Sequence, residues 1–133
     1  MQVLVIGSMN MDLVVETDRC PVAGETVTGR SFSQVPGGKG ANQACAVGKL
    51  GGAVGFIGAC GKDEYGNLLL ESLKNAGVKT DHVEIVEKTT GIAVIILEQA
   101  GDNRIIIIPG ANGELTPAVV KKNEEVIKQA DIL

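Results

Sequence analysis

Pro36-Gly37-Gly38-Lys39-Gly40-Ala41-Asn42-Gln43-Ala44 is the stretch of sequence that decides the fold. Its glycines end a β-prone segment and permit a tight turn. Residues 41–50 then have the composition of a helix that Gly51 closes. Residues 53–59 follow as a short apolar run, which is typical of a strand buried inside a parallel sheet. A turn, a helix and a buried strand in this order predict an α/β fold.

The segments on either side of this stretch continue the alternation of strands and helices. Gln2–Ile6 is apolar after its first residue and ends at Gly7, which predicts a strand buried on both faces. Asp63 is placed to cap a second helix that ends before Gly77. The apolar face of that helix is expected to consist of Leu68, Leu69, Leu70 and Leu73. This order predicts a parallel sheet with flanking helices and right-handed crossovers.

Further β-prone segments contain more polar residues than the buried strands. Residues 11–16 supply one short strand, and residues 26–35 are expected to form a half-exposed strand. Residues 91–97 and 104–108 are predicted to pair, because Gly101-Asp102-Asn103 between them is a hairpin signal. These segments predict a second β structure beside the parallel sheet.

The C-terminal region is expected to contain one helix and the start of another strand. Thr116 suits the helix cap, Pro117 suits the first helical position, and the helix is expected to run to about Gln129. Residues 130–133 resemble the first residues of a core strand. We therefore expect a partial chain whose C-terminal half is missing. Before this region, His82 is expected on the surface of a linker.

Composition and charge exclude several classes of protein. The net charge of −4 comes with no basic run, which argues against nucleic acid as a partner. No apolar run approaches the roughly 18 residues that a membrane helix needs. The three cysteines are Cys20, Cys45 and Cys60, and with one histidine they cannot supply a zinc cluster. They are expected to be buried free thiols in a cytoplasmic protein without a signal peptide.

A polar pair follows the first predicted strand, in Gly7-Ser8-Met9-Asn10-Met11-Asp12. Ligands of open α/β sheets bind at the carboxyl ends of strands. Asn10 and Asp12 are two residues apart, so they face the same way in an extended backbone. Together, an amide and a carboxylate can donate to and accept from sugar hydroxyls. The alternative is an ordinary turn, because Asn and Asp are common turn residues.

The glycine-rich turn is the second candidate site. Glycines let a backbone approach a ligand closely, and the start of the following helix presents N–H groups and a partial positive charge. Lys39 and Asn42 are three residues apart, so both can project from one side of the first helical turn. This pattern predicts a loop that binds hydroxyls or an anion. The alternative is a strand-to-helix turn with a solvated lysine.

Two phosphate-binding motifs do not fit this turn. A P-loop requires Ser or Thr after its lysine, whereas Gly40 follows Lys39 here. A dinucleotide-binding fingerprint requires a third glycine at the position that Gln43 occupies. Both nucleotide motifs are therefore excluded on their residues.

Five motifs occur in a fixed order along the chain. They are Gly7-Ser-Met-Asn-Met-Asp12, Pro21-Val-Ala-Gly-Glu-Thr-Val27, Gly37-Gly-Lys-Gly-Ala-Asn-Gln-Ala44, Thr90-Gly-Ile-Ala93 and Gly110-Ala-Asn112. Together they resemble the ribokinase family, within the wider phosphofructokinase-B-type superfamily of carbohydrate kinases. The resemblance covers essentially the whole chain. Its glycine-rich stretch is highly specific and resembles ribokinases more than fructokinases or adenosine kinases.

The resemblance implies a sugar pocket covered by a small β lid. The residues that it assigns to the pocket are Asn10, Asp12, Gly37, Gly38, Lys39, Asn42, Ala93, Ile95 and Ile107. The first two would hold the sugar hydroxyls, the next four would form the opposite side, and the last three would cover the sugar. Residues 11–36 and 90–108 would supply the lid. Two lids commonly pair in this family, so a homodimer through the lid is implied.

The resemblance also implies the reaction of a longer protein. That reaction would transfer the γ-phosphate of Mg-ATP to the 5-hydroxyl of D-ribose, with a monovalent cation as a further cofactor. The family's Gly-Ala-Gly-Asp signature, which carries the catalytic base, is absent from this sequence. The base, the nucleotide site and the metal sites are therefore expected beyond Leu133, and the chain alone is expected to be inactive. Two alternatives stay open: a kinase for another sugar or a nucleoside, and a non-catalytic sugar-binding or dimerising module.

Overall fold

Residues 2–133, which the computed structural model describes, form two β-sheets and a set of short helices. The strands are β1 Gln2–Ile6, β2 Asn10–Thr17, β3 Ser31–Gly37, β4 Ala53–Gly61, β5 Val78–Val86, β6 Gly91–Glu98 and β7 Asn103–Ile108. The helices are α1 Lys39–Lys49, α2 Glu64–Asn75, α3 Pro117–Lys122 and α4 Glu124–Lys128. A 3-10 helix, Gly110–Glu114, precedes α3. The predicted α/β class is confirmed.

The first sheet is parallel and carries the core. Its strand order is β1-β4-β5, and the central strand β4 is buried from Val54 to Gly61. Helix α2 connects β4 to its parallel neighbour β5, as the β–α–β–α pattern predicts. Helix α1 also leads into β4, but it follows β3 of the second sheet, because β2 and β3 lie between β1 and α1 in the chain. The main core cluster consists of Met9, Met11, Ala41, Ala44, Val54, Phe56, Cys60, Leu69, Leu73, Ala76 and Val78.

The second sheet has four strands in the order β3-β2-β6-β7. Strands β2 and β6 are parallel, and the two outer pairings are antiparallel. The register aligns Val35, Asp12, Ala93 and Ile107 in one row across all four strands. Because side chains alternate along a strand, the residues of this row share one face of the sheet. We call it the inner face, and the opposite one the outer face.

Strand β5 corrects the prediction of a linker around His82. His82 is half-buried within β5 and pairs with Ile57 of β4. Exposed Lys79 and Asp81 alternate with less exposed residues along β5, because β5 is the outer strand of its sheet. Because of these charged residues, β5 lacks the continuous apolar run by which buried strands are predicted from sequence.

Strand β1 is less buried than its apolar run predicts. Only Leu4 is fully buried within Gln2–Ile6. Strand β1 pairs with β4 on one side, and on the other side an isolated parallel bridge joins Val3 to Ile132. Leu4 N–H donates to Ile132 O at 2.9 Å, so residues 130–133 lie beside β1 as a strand would.

Two segment boundaries also differ from prediction. Residues 26–30 are not part of a strand, because the chain between Arg19 and Arg30 forms a loop in which Arg19 and Glu25 are ion-paired. The single C-terminal helix is instead α3 and α4, interrupted at the buried residue Asn123. Asn123 Nδ2 donates to Val119 O at 2.9 Å, which accommodates the amide at the break.

The helix caps and the burial of the cysteines agree with prediction only in part. Asp63 caps α2 as predicted, whereas Thr116 makes no side-chain cap. Leu68 is 40% exposed, because consecutive leucines cannot all face the core from one helix. All three cysteines are free, but only Cys60 is fully buried. Burial raises the pKa of the Cys60 thiol, with a smaller contribution from the charge of Asp63.

Candidate functional site

An open cleft of about 450 Å³ lies between the inner face of the second sheet and the start of α1. One of its sides is polar, and the side formed by β6 and β7 is apolar. Its lining residues are Ser8, Asn10, Asp12, Gly38, Lys39, Asn42, Ala93, Ile95, Ile105, Ile107, Pro109 and Asn112. The cleft therefore combines hydrogen-bonding groups with an apolar surface, as small-molecule sites do.

Asp12 is the ionisable group of β2 that faces this cleft. It sits between Val35 of β3 and Ala93 of β6 in the sheet register. Its carboxylate occupies the space beside Gly37, where a Cβ atom on residue 37 would overlap it. Burial raises the pKa of Asp12 above the ordinary value of 3.8. The carboxylate is thus partly removed from water and has no ion-pair partner among residues 2–133, which leaves its oxygens available to a ligand.

Asn10 lies one pleat before Asp12 and is held by Asn112 of the 3-10 helix. Asn112 Nδ2 donates to Asn10 Oδ1 at 2.7 Å and to Met9 O at 3.1 Å. Asn112 Oδ1 accepts from Met9 N–H at 3.0 Å. Gly91 leaves the space for this contact, since a Cβ there would overlap both asparagine side chains. Asn112 thereby fixes the 3-10 helix against the start of β2.

The glycine-rich turn approaches the end of β1 very closely. Gly38 has φ 96°, and a Cβ on it would lie 2.7 Å from Ser8 O. Gly40 is equally constrained, because its Cβ would lie 2.9 Å from the Cα of Gly7. Ala41 N–H donates to Ser8 O at 3.1 Å. These contacts bring the N-terminus of α1, which has no acidic residue in its first turn, to the edge of the cleft.

The apolar wall comes from two paired strands, β6 and β7. Ala93 is opposite Ile107, and Ile95 is opposite Ile105, so these four side chains share the inner face. Ala93 is 5% exposed, whereas Ile105 is 51% and Ile107 is 62% exposed. The wall is therefore open to solvent along β7.

Comparison with known proteins places the chain in a family. The model of the pfkB family of carbohydrate kinases matches residues 1–133. The chain belongs to this pfkB family. A ribokinase of Bacillus subtilis (strain 168) is 49% identical over 132 residues, which are 98% of this chain and 45% of the relative. The pfkB-family chain thus spans less than half the length of that curated relative.

Solved structures agree with this assignment. A ribokinase from Giardia lamblia matches with a TM-score of 0.85 and 38% identity, over 94% of this chain and 38% of that chain. A ribokinase of Arabidopsis thaliana, complexed with ribose and ATP, matches with a TM-score of 0.75 and 42% identity. That match covers 83% of this chain and 36% of the Arabidopsis chain. The resemblance to the ribokinase family is confirmed.

The pfkB-family chain brings together most of the residues that its sequence assigns to the pocket. Eight of these nine residues line the cleft, and the exception, Gly37, lies behind the Asp12 carboxylate. Their role in binding a sugar stays a prediction. Sequence reasoning assigned no role to Asn112, although Gly110-Ala111-Asn112 was among the motifs that resemble the family. It also missed the lining residues Ser8, Ile105 and Pro109.

A second polar cluster ties β6 to the core beside the cleft. Asp63 accepts from Gly66 N–H, from Thr90 N–H and from the Thr90 hydroxyl, at 2.8, 2.8 and 2.6 Å. Thr90 is fully buried, and its Oγ1 accepts from Gly61 N–H at 2.9 Å. Burial opposes ionisation of Asp63, but these hydrogen bonds hold its pKa below the ordinary value. Asp63 therefore joins α2, β4 and the start of β6.

Three other observations on this pfkB-family chain bear on what it binds. A larger hollow of about 610 Å³ lies beside β1 and α1, but its lining of mainly apolar residues contains no ionisable side chain. Within residues 2–133, no group of three or more His, Cys, Asp or Glu side chains is placed to hold a metal ion. None of the helices in the described part of the chain has the length and apolarity needed to span a membrane.

Proposed function

We propose that the cleft binds D-ribose and that this chain forms the sugar-binding part of a ribokinase. The observation that carries the proposal is the placement of Asn10, Asp12 and the start of α1 around one cleft. A volume of about 450 Å³ falls in the range of small-molecule sites, roughly 300–1,000 Å³. Membership of a carbohydrate-kinase family favours a sugar over other polar ligands of that size.

Each side of the cleft has a proposed role toward the sugar. Asp12 accepts hydrogen bonds from hydroxyl groups, and Asn10 donates one. Gly37, Gly38, Lys39 and Asn42 enclose the sugar from the opposite side. Ala93, Ile95 and Ile107 pack on its carbon skeleton and exclude water. The second sheet, from segments 11–36 and 90–108, acts as the lid. Such contacts position a hydroxyl for phosphoryl transfer, which depends mainly on positioning and charge stabilisation.

The chemistry of the complete enzyme is proposed to need groups outside these residues. ATP would supply the γ-phosphoryl group for the 5-hydroxyl of D-ribose, with Mg²⁺ and a monovalent cation bound beside the nucleotide. The catalytic base belongs to a Gly-Ala-Gly-Asp signature that this sequence does not contain. We therefore assign this chain the binding and covering of the sugar in the cytoplasm, and no step of the transfer.

Titration calorimetry with a panel of ligands tests the proposal. D-ribose should bind this chain more tightly than D-fructose or adenosine do, and Mg-ATP added to the ribose complex should yield no sugar phosphate. Preference for fructose or adenosine would instead favour a kinase for another sugar or a nucleoside. Absence of binding by all three ligands would contradict the sugar-binding role of this chain.

We further propose that the lid sheet pairs with the lid of a second copy. On the outer face, Ile106 is 64% exposed and Phe32 is 60% exposed. Gln34 of this face reaches α2, where its Nε2 donates to the Tyr65 hydroxyl at 2.9 Å. Helix α2 contacts β3 and β2, whereas Phe32 and Ile106 stay exposed, and an exposed apolar patch favours cover by another protein surface.

Ile106→Lys should therefore convert a dimer of this chain into a monomer, because a charged side chain would be buried without a partner in the lid interface. Light scattering coupled to gel filtration measures the change in mass. Ile85→Lys is a matched control, since Ile85 is 58% exposed on β5, outside the lid. A monomeric unmodified chain at about 100 μM, where weak self-association in the micromolar range is visible, would contradict lid pairing.

A further inference from the structure

The side-chain amide of Asn112 is oriented by backbone groups whose polarity cannot change. Its Oδ1 faces the Met9 N–H, which is a donor, and its Nδ2 faces the Met9 carbonyl, which is an acceptor. Reversing the Asn112 amide would oppose acceptor to acceptor and donor to donor at both contacts. The Asn112 Nδ2 atom, with a second hydrogen still available, therefore always faces Asn10.

We infer that Asn112 is a positioning residue that fixes which end of the Asn10 amide faces the cleft. The atom of Asn10 that lies 2.7 Å from Asn112 Nδ2 must be an acceptor, so it is Oδ1. Asn10 Nδ2 is then directed away from Asn112. Among the hydrogen bonds formed within residues 2–133, none uses this Nδ2, and it is not a buried atom without a partner. Its hydrogens are available to a ligand.

This orientation decides what the polar side of the cleft recognises. A fixed donor on Asn10 lies next to a fixed acceptor on Asp12, and the two share the inner face of β2. One hydroxyl group can accept from Asn10 and donate to Asp12 at the same time. Two neighbouring hydroxyl groups of a sugar can also divide these two hydrogen bonds between them. With the Asn10 amide reversed, two acceptors would compete for one hydroxyl proton. This consequence for binding rests on the proposed sugar function, whereas the orientation itself does not.

The orientation is tested directly in the unmodified chain by nuclear magnetic resonance. A scalar coupling across the hydrogen bond should join the Asn112 side-chain nitrogen to the Asn10 side-chain carbonyl carbon. A coupling in the reverse sense, from the Asn10 nitrogen to the Asn112 carbonyl carbon, would overturn the inference. So would fast solvent exchange of the Asn112 side-chain amide hydrogens. None of these outcomes depends on a ligand or on the folding of a variant.

The effect on binding is tested with Asn112→Asp, which keeps the shape of the side chain but removes both donors. Asn10 should then turn its Nδ2 toward the new carboxylate and present Oδ1 to the cleft. D-ribose affinity, measured by calorimetry, should fall about tenfold or more through loss of one hydrogen bond and creation of a repulsive contact. Asn75→Asp is a control of equal charge, because Asn75 is an exposed residue at the end of α2.

A double-mutant cycle separates positioning from a general structural role. If Asn112 acts through Asn10, Asn112→Asp should have less than about a twofold effect on ribose affinity in an Asn10→Ala background. An equal loss in both backgrounds would show that Asn112 only supports the fold, and would overturn the positioning role. Failure of the unmodified chain to bind ribose, with the expected coupling present, would contradict the proposed function and leave the orientation established.

Discussion

Asp12→Ala should weaken the binding of D-ribose to this chain by about a hundredfold or more. Each hydrogen bond to a charged group contributes roughly 1.5–3 kcal/mol, and the Asp12 carboxylate is proposed to accept two from the sugar. It lines the cleft, and no salt bridge within the described residues engages it. Calorimetric titration of the purified variant with D-ribose measures the loss. Unchanged affinity would exclude Asp12 from the binding site.

Two further variants make this result specific. Asp12→Asn keeps the size of the side chain but removes its charge, so ribose affinity should still fall substantially. Asp81→Ala removes an exposed carboxylate from β5, far from the cleft lining, and should leave the affinity unchanged. Asp12→Asn should raise the free energy of unfolding even though it weakens binding, because it replaces a carboxylate whose ionised form burial disfavours.

The pH dependence of binding follows from the same carboxylate. Burial raises the pKa of Asp12, so protonation begins at a pH above that expected from its ordinary value of 3.8. Ribose affinity should decline as pH falls through this raised pKa, because the protonated group loses acceptor capacity. The stability contribution has the other sign: protonation of Asp12 favours the folded state, so it adds stability as pH falls. Asp12→Asn should abolish both effects.

Asp63→Ala should lower the free energy of unfolding by about 3 kcal/mol or more. The variant loses the cap of α2 at Gly66 and both hydrogen bonds from Thr90. The Thr90 side chain is fully buried, and its backbone N–H would lose its carboxylate partner, so neither is readily compensated by water. Urea denaturation followed by circular dichroism measures the change.

Partial replacements test whether the two functions of Asp63 add. Asp63→Ser retains a capping oxygen for Gly66 but lacks the second carboxylate oxygen that receives Thr90 N–H. Its loss of stability should fall between those of the unmodified chain and Asp63→Ala. Asp102→Ala, in the exposed hairpin turn between β6 and β7, is the control and should change stability little. Equal denaturation midpoints for Asp63→Ala and this control would refute the role of Asp63.

The hydrogen bonds of Asp63 should also make the stability of the chain depend on pH in acid. The folded-state pKa of Asp63 lies below 3.8, because hydrogen bonds from Thr90 and Gly66 outweigh the effect of burial. Its stabilising contribution is complete above the unfolded-state pKa and is lost as pH falls through the lower folded-state value. The unmodified chain should therefore lose stability below about pH 4 more steeply than Asp63→Asn does.

The parts of the fold that could be predicted are those whose burial or capping follows directly from the local sequence. Strand β4 is buried on both faces and reads as a continuous apolar run, and α2 begins at a capping aspartate. Strand β5 was missed because an outer strand with one exposed face carries charged residues. The break at Asn123 depends on burial of a polar side chain, which periodicity does not reveal.

In the candidate site, too, local geometry could be predicted from the sequence, whereas contacts between distant segments could not. Asn10 and Asp12 could be predicted to face one way, because strand geometry alternates every residue. The contact between Asn10 and Asn112 joins residues that are 102 positions apart. It exists only because β2 and β6 run parallel with Asn10 opposite Gly91, and that register is a property of the assembled sheet. The open apolar wall likewise depends on the pairing of β6 with β7.

The glycines beside the two polar residues limit how evolution or an engineer can alter this protein's ligand preference. Gly37 and Gly91 adjoin Asn10 on its two sides, and even a methyl group on either would displace a polar side chain. In a saturation scan, these glycines should tolerate replacement as poorly as Asp12 does. Variation that retunes selectivity while keeping the hydroxyl-binding groups is therefore confined to the aliphatic side, where Ile105 and Ile107 have free space around them.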